Sequence, residues 1–297
     1  MAPPGAAAEP ARAALPRWLR RLARRRITLV GAVLTAVVVL AGALAPVIAG
    51  DPTRMDVAAR LLPPGAVHWF GTDDLGRDVF SRVVHGARLS LLVGAAVVLF
   101  AFLVGVTCGL VAGYFRALDN VVMRVMDGLM AFPAIVLAIG LMASLGPSVT
   151  NVIVAIGIVY SPRVARVVRG SVLVIRETPY VEAARALGVG DLGLMLRHIL
   201  PNCLSPVIVQ GSFVFAAAVL IEAALSFLGV GVPPYVPSWG NILSEGRLYL
   251  RQAPWLVLYA GGAIMLTILG LNLFGDGLRD LLDPRMRALR GERQPSA

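Results

Sequence analysis

The first long apolar stretch of the chain, residues 27–49, reads ITLVGAVLTAVVVLAGALAPVIA. It has no charged side chain and contains twelve isoleucine, leucine or valine residues. Each of these favours membrane insertion by roughly 0.3–0.6 kcal/mol, and about twenty apolar residues are enough for a helix to cross the hydrocarbon core of a bilayer. Residues 27–49 therefore predict a transmembrane helix rather than a helix in the core of a soluble domain.

Five more stretches of this kind follow, at residues 89–113, 121–145, 149–169, 204–228 and 255–275. The chain of 297 residues is 58% hydrophobic and 15% charged, whereas soluble domains carry about 25% charged residues. We predict an all-α membrane protein with six transmembrane helices, the third kinked by Pro133 and the fourth by Pro162. A cleaved signal peptide is the alternative for residues 27–49, but this run of 23 uncharged residues exceeds the ~7–15 that a signal peptide uses.

The distribution of arginine predicts how the helices are oriented. The chain has 27 arginines and no lysine, and its net charge is +10. If the N-terminus is cytoplasmic, twenty arginines fall on the cytoplasmic side and seven on the other, in agreement with the positive-inside rule. We therefore expect residues 1–26 and 277–297 to be cytoplasmic tails, the first of them on anionic membrane lipid, and residues 50–88 to be extracytoplasmic.

The same composition argues against several other functions. The arginines lie between apolar runs and not on a soluble basic face beside aromatic residues, so we expect no nucleic acid as a partner. A P-loop requires a lysine, so we expect no ATPase site of that kind in this chain, and if the protein uses ATP by that chemistry another chain must hold the site. The sequence has no GxSxG or HExxH motif, which argues against an intramembrane hydrolase. We expect no catalytic residue, no metal site and no cofactor.

The segment between the fourth and fifth stretches, residues 176–202, reads RETPYVEAARALGVGDLGLMLRHILPN. Its turn-forming residues predict two short helices. Thr178 suits the N-cap of the first, Pro179 its first helical position and Gly188 the position just after its end. Asp191 suits the N-cap of the second helix, and Pro201 is expected to interrupt that helix before the fifth stretch.

The first short helix has an apolar stripe. Helical spacing places four residues on one face, namely Tyr180, Ala183, Ala184 and Leu187. The two alanines allow close approach of another surface, and Glu182 and Arg185 lie beside the stripe. Two interpretations remain open from physics alone: the helix is a docking element for a partner, or it packs against its own protein's membrane helices.

Six positions of the 176–202 segment follow a recognisable spacing: Glu182, Ala183, Ala184, Gly188, Leu200 and Pro201. This pattern resembles the EAA loop of bacterial ABC importer permeases. That family has an isoleucine where this chain has His198, and here Ile199 comes one residue later. Residues 68–82, 225–240 and 272–284 are similar to segments of the dipeptide/oligopeptide/nickel permease branch, in particular of its C-type subunit.

This resemblance implies a type I ABC importer permease fold, with residues 89–276 as the ABC type-1 transmembrane domain of five helices. It implies a bacterial inner-membrane protein that forms half of a translocation path for di- or oligopeptides, with nickel or another small solute as the alternative cargo. The implied partners are a second, B-type permease, cytoplasmic ABC ATPase subunits and an extracytoplasmic substrate-binding protein. The residues expected to couple to the ATPase are Tyr180, Glu182, Ala183, Ala184, Leu187, Gly188, Leu200 and Pro201.

Two acidic residues lie within the predicted membrane helices. An ionisable residue there is costly, at about 2.5–3.5 kcal/mol near the bilayer centre, and is a functional candidate for that reason. Glu222 is our candidate for the substrate path, where it would contact a peptide amine; the alternative is that it holds the helix bundle together. Asp127 lies near the cytoplasmic edge. A proton-coupled carrier that uses Asp127, Glu222 or His198 as a relay is the less favoured functional alternative.

The extracytoplasmic segment is expected to contain a surface helix. Asp73 or Asp74 is the predicted N-cap, and an apolar stripe is expected to lie along the membrane surface or to brace the structure. The stripe consists of Val79, Phe80, Val83 and Val84. This segment and residues 229–254 are long enough to meet a binding protein.

Overall fold

The computed structural model describes residues 26–282, and within this range the protein is built from helices. The nine main helices are α1 (Arg26–Ile48), α2 (Val79–Tyr114), α3 (Arg116–Met130), α4 (Ala134–Leu145), α5 (Val149–Ile175), α6 (Pro179–Ala186), α7 (Asp191–Phe227), α8 (Trp239–Gly246) and α9 (Trp255–Leu282). Residues 1–25 and 283–297, which make up most of the two predicted tails, lie outside the described residues.

Five of these helices are long and apolar enough to cross a membrane: α1, α2, α5, α7 and α9. The pair α3 and α4 supplies a sixth candidate, but its two helices meet at an angle of 91°. The all-α membrane fold is therefore confirmed, and the predicted third span is divided into two helices at Pro133 where a single kinked helix was expected. Pro133 lacks an amide hydrogen and disfavours a helical conformation at the residue before it, so the chain turns sharply there. Pro162, in contrast, lies inside the continuous helix α5.

A seam of glycines joins α2 to α5. Gly105, Gly109 and Gly113 repeat every four residues and so share one face of α2. A Cβ atom on Gly109 would lie only 2.4 Å from the carbonyl oxygen of Ala165, and one on Gly113 only 2.6 Å from Cβ of Val172. Residue numbers increase in the same direction along the seam on both helices, so α2 and α5 run parallel. Two membrane helices must run parallel when one crossing lies between them in the chain.

Further contacts show which helix termini lie together at each of the two ends of the helix bundle. Gly277 lies against Thr28, so the start of α1 and the end of α9 come together, at the end of the bundle that also carries α6. We call this the α6 end. At the opposite end, which we call the α8 end, the indole of Trp239 donates to the carbonyl of Val83 at 2.9 Å. The arginine distribution grouped the segments in the same two sets.

The start of α2 differs from the prediction for the extracytoplasmic segment. The N-cap is Asp78, whose side chain accepts a 2.8 Å hydrogen bond from the amide of Ser81, and α2 continues for 36 residues without a separate surface helix. Val79 is fully buried and Val83 is 7% exposed, so the stripe packs inside the protein and not on the membrane surface. The prediction of Asp73 or Asp74 as the N-cap is wrong, because the Asp73 carboxylate binds arginine side chains instead.

Candidate coupling surface

Helix α6 has the boundaries that its sequence predicts. Pro179 occupies the first turn, where the missing amide hydrogen has no intrahelical partner to lose. Gly188 has φ +84°, and the amides of Gly188 and Val189 donate to the carbonyls of Arg185 and Ala184, a Schellman motif that ends the helix. Thr178 stands at the N-cap position, as predicted, although its hydroxyl donates back to the carbonyl of Ile175 and makes no capping hydrogen bond to α6.

The predicted apolar stripe of α6 lies partly in the protein core and partly on the protein surface. Val181 is fully buried and Ala184 is 7% exposed, and both belong to the hydrophobic core formed with α2, α5 and α7. The opposite side of the helix is open to its surroundings and consists of Tyr180, Glu182, Ala183 and Leu187, which we call the exposed face of α6. Leu187 is 85% exposed, so it projects well beyond the body of the protein.

The second helix of the segment continues into the membrane without interruption. Gly190, not Asp191, is its N-cap, and Asp191 is the first helical residue. Pro201 does not break the helix as predicted, because residues 194–199 form a π-helical turn directly before it. A π turn shifts the hydrogen-bond register by one residue, which accommodates a residue that has no amide hydrogen.

At His198, where the chain departs from the EAA pattern, the neighbouring residue Ile199 is the one that is buried. Ile199 is fully buried within the π turn, while His198 is half-buried. Ile199 therefore supplies the apolar contact one residue later than the family pattern. Of the two residues that end the pattern, Leu200 is half-buried and Pro201 is exposed.

Hydrogen bonds hold α6 against the π turn. The hydroxyl of Tyr180 donates to the carbonyl of His198 at 3.1 Å, and the amide of Asn202 donates to the same carbonyl at 2.7 Å. Tyr180 is thus both an exposed residue and an internal anchor, a double role that its sequence position did not predict.

Two residues that the sequence reasoning missed tie the 176–202 segment to α2. Tyr114, the last residue of α2, donates its hydroxyl to Oδ1 of Asp191 at 2.5 Å. Arg176, directly after α5, donates from Nη1 to the carbonyl of Gly113 at 2.7 Å. An arginine that follows an apolar helix is a general signal for binding helix-end carbonyls, but the sequence did not indicate which helix.

Glu222 is enclosed within the bundle. Its side chain is 0% exposed, and it accepts hydrogen bonds of 3.0 Å from the hydroxyls of Ser90 on α2 and Ser226 on α7. The Ser226 hydroxyl in turn accepts from the amide of Val232 in the next loop. A passing substrate would reach Glu222 only if α2 and α7 separated, so this geometry fits the bundle-holding alternative better than a place in the substrate path.

The α8 end contains a buried network of charges that the sequence did not predict. Arg82 is 2% exposed and donates to Asp73 at 2.6 Å and to Glu245 on α8. Arg77 also donates to both carboxylates, at 2.6 and 2.8 Å. Arg82 and Glu245 are 163 residues apart in the chain, and neither residue type signals such a pairing. The network fastens the start of α2 to α8.

The three residues proposed for a proton relay do not form a chain of contacts. Asp127 pairs with Arg166 at 2.7 Å on an exposed surface between α3 and α5. His198 and Glu222 lie on the same helix, 24 positions apart, which corresponds to about 36 Å at 1.5 Å per residue. These distances give no support to a proton-coupled carrier.

Comparisons with known proteins agree with this architecture. Residues 101–288 match the family described as binding-protein-dependent transport system inner membrane component. The chain is 52% identical to a putative peptide transport system permease protein of Brucella suis, over 90% of this chain and 91% of that protein. It is 44% identical to the dipeptide transport system permease protein of Alkalihalophilus pseudofirmus, over 91% of this chain and 89% of that protein.

Among solved structures, an amino acid ABC transporter crystallised with histidines is similar over 66% of this chain and 93% of that one, with a TM-score of 0.48 and 19% identity. The family match and the close relatives establish the class. The chain belongs to the binding-protein-dependent transport system inner membrane components, the permeases of ABC importers. It is a multi-pass protein of the bacterial inner membrane, and its family works with ATPase and substrate-binding partners.

Proposed function

We propose that this chain is one of two permease subunits of an ATP-driven importer of di- or oligopeptides, and that the exposed face of α6 receives the ATPase. Its relatives at 44–52% identity are named for peptides and dipeptides, which favours peptides over nickel as the cargo. The second permease is of the B type, and the two subunits together enclose the translocation path.

The division of α6 into two faces carries this proposal. Val181 and Ala184 fix the helix to the core, so its position is defined by the chain itself. Leu187 and Tyr180 are 85% and 45% exposed. Exposing large apolar side chains to water does not stabilise the free subunit, so such side chains mark a candidate interaction surface. A short helix that is anchored on one side and apolar on its free side is suited to binding in a groove of a partner.

The α6 end is assigned to the cytoplasm in this proposal. The positive-inside rule supports the assignment, since twenty of the 27 arginines belong to segments grouped at that end. The cytoplasmic partners are then separate ATPase subunits, because the chain has no lysine with which to build a P-loop of its own. The α8 end faces the substrate-binding protein.

A pair of adjacent alanines provides a direct test. Ala183→Trp adds a large side chain to the exposed face of α6, whereas Ala184→Trp inserts one into the core. In the complex of both permeases with the ATPases, we expect Ala183→Trp to fold normally and to lose bound ATPase and uptake. We expect Ala184→Trp to lower the thermal stability of the permease as well, because overpacking a core is destabilising.

The matched control is Ala117→Trp, which changes an exposed alanine at the same end of the bundle, on α3. It should retain ATPase binding and uptake. If Ala183→Trp copurifies with a full complement of ATPase and imports at the normal rate, the exposed face of α6 is not the docking surface.

A further inference from the structure

Both ends of the segment that contains α6 are fastened to the same turn of α2. Arg176 precedes α6 and donates to the carbonyl of Gly113 at 2.7 Å. Asp191 follows α6 and accepts from the hydroxyl of Tyr114 at 2.5 Å. The two attachment points on α2 are neighbouring residues at its C-terminal end. The chain from residue 176 to residue 191 is therefore a loop closed by α2.

Each of these bonds has an ionisable side chain as one of its partners. The last carbonyls of a helix lack intrahelical partners and carry partial negative charge, so a guanidinium is a favourable ligand for them. The side chain of Arg176 is 13% exposed, which shields its contact from water. The bond of Tyr114 to Asp191 joins a hydroxyl to a carboxyl group at the protein surface.

Helix α6 itself also reaches the hydroxyl of Tyr114. Arg185 of α6 lies close enough to interact with it, and this interaction raises the pKa of the Arg185 guanidinium above its ordinary value. Tyr114 thus contacts both α6 and the first residue of α7. The hydrogen bonds of Tyr180, in contrast, join α6 to α7 and not to α2, since they reach His198 and Asn202.

Motion of the end of α2 necessarily involves α5. The glycine seam brings the two backbones so close that a Cβ atom on Gly109 would lie 2.4 Å from a carbonyl oxygen of α5. Closely packed interiors move as rigid bodies because they do not deform continuously. Asp119 of α3 is joined to Arg169 of α5 by hydrogen bonds of 2.5 and 2.6 Å, so α3 is attached to the same body.

We propose that Tyr114 and Arg176 are positioning residues that transmit the displacement of α6 to α2 and α5 when the ATPases close. This inference rests on the proposed docking of the ATPase at α6. In the absence of these two ties, α6 still binds the ATPase through its exposed face and still packs on the core, but its displacement is no longer passed directly to the end of α2. The consequence is an importer that hydrolyses ATP without opening its path.

The test uses the complete importer in proteoliposomes, with both permeases, the ATPases and the binding protein. Tyr114→Phe removes one hydroxyl and keeps the ring, and Asp191→Ala removes the partner of that hydroxyl. For both variants we expect hydrolysis stimulated by the binding protein to stay within about twofold of the unmodified importer, while uptake per ATP falls about fivefold or more. Because the two variants break the same bond, the double variant should be no worse than either one.

Arg176→Gln should give the same loss of uptake per ATP, and Arg176→Lys should recover part of it, since an ammonium also binds helix-end carbonyls. Ser171→Ala is the matched control: it removes a hydroxyl near the α6 end that donates to the carbonyl of Val167 within α5 itself, and it should leave uptake per ATP unchanged.

The inference is overturned if uptake per ATP is unchanged in Tyr114→Phe and Asp191→Ala, including the case in which hydrolysis and uptake fall in parallel. It is also overturned if the losses of the two variants multiply in the double variant. Failure of the docking proposal is seen separately, as normal ATPase binding by Ala183→Trp.

Discussion

The two ends of this permease are held together by different kinds of interaction. At the α8 end, Arg82 is 2% exposed and is bonded to two carboxylates from distant parts of the chain. At the α6 end, the ion pair of Arg166 and Asp127 has side chains that are 53% and 59% exposed. Breaking a buried pair leaves a stranded charge, whereas breaking an exposed pair leaves two hydrated ions. The Arg82 network at the α8 end should therefore be costlier to break than the Arg166–Asp127 pair at the α6 end.

The largest effect is expected from removing the central arginine of the α8 end. Arg82→Ala leaves the carboxylates of Asp73 and Glu245 without that partner and should lower the free energy of unfolding by about 3–5 kcal/mol, measured by denaturant titration in detergent. Arg166→Ala is the control at the α6 end, where an exposed pair should be worth less than about 1 kcal/mol. If both variants lose the same free energy of unfolding, the charge pairs at the two ends do not differ in strength.

The glycine seam between α2 and α5 should show the next largest effect. Gly109→Ala places a methyl group 2.4 Å from the Ala165 carbonyl oxygen, so α2 and α5 must separate. We expect a loss of about 1–3 kcal/mol in the same titration. Gly140→Ala on α4 meets no atom within 4 Å and should be neutral or slightly stabilising, since alanine is the better helix former. A neutral Gly109→Ala would mean that α2 and α5 do not form one body.

A smaller effect on stability is expected at Gly188, which ends α6. With φ at +84°, alanine is strained there by roughly 1–2 kcal/mol, although no atom lies within 4 Å of its Cβ. The strain should shift α6 and reduce uptake at normal protein levels. Asparagine tolerates this conformation better, so Gly188→Asn should retain more uptake than Gly188→Ala. If Gly188→Asn instead retains less uptake than Gly188→Ala, uptake does not depend on the Schellman turn that ends α6.

The smallest effect is expected at Glu222. A glutamine side chain at this position retains one carbonyl oxygen as an acceptor, so Glu222→Gln should cost roughly 0.5–1.5 kcal/mol of stability and leave the KM for peptide uptake unchanged. This outcome follows from the role of Glu222 between α2 and α7. A selective rise in KM for peptides with a free amino group would instead place Glu222 in the substrate path.

Much of the fold follows from local sequence, because its signals are local. Uncharged runs predict membrane helices, and the turn residues Pro179 and Gly188 fix the limits of α6 without help from the rest of the chain. The helix starts were less certain because several acidic residues compete for one cap. Asp73, Asp74 and Asp78 all precede α2, and Asp78 is free to cap it since Asp73 binds Arg77 and Arg82.

The parts that sequence did not predict depend on contacts between distant residues. Nothing near Arg82 indicates that its partner is Glu245, and nothing near Tyr114 points to Asp191. The sharp break at Pro133 and the π turn before Pro201 show a different difficulty. Proline predicts a disturbance of the helix in both places, but the packing around it decides whether the chain turns by 91° or continues.

The most direct test of the account is to find which residues of α6 touch the ATPase. A photo-crosslinking amino acid at position 187, where the side chain is 85% exposed, should form a crosslink to the ATPase subunit in the assembled importer. The same amino acid at position 181, which is fully buried, should form none. Crosslinks to the ATPase from position 181 but not from position 187, or from neither, would contradict docking at the exposed face of α6.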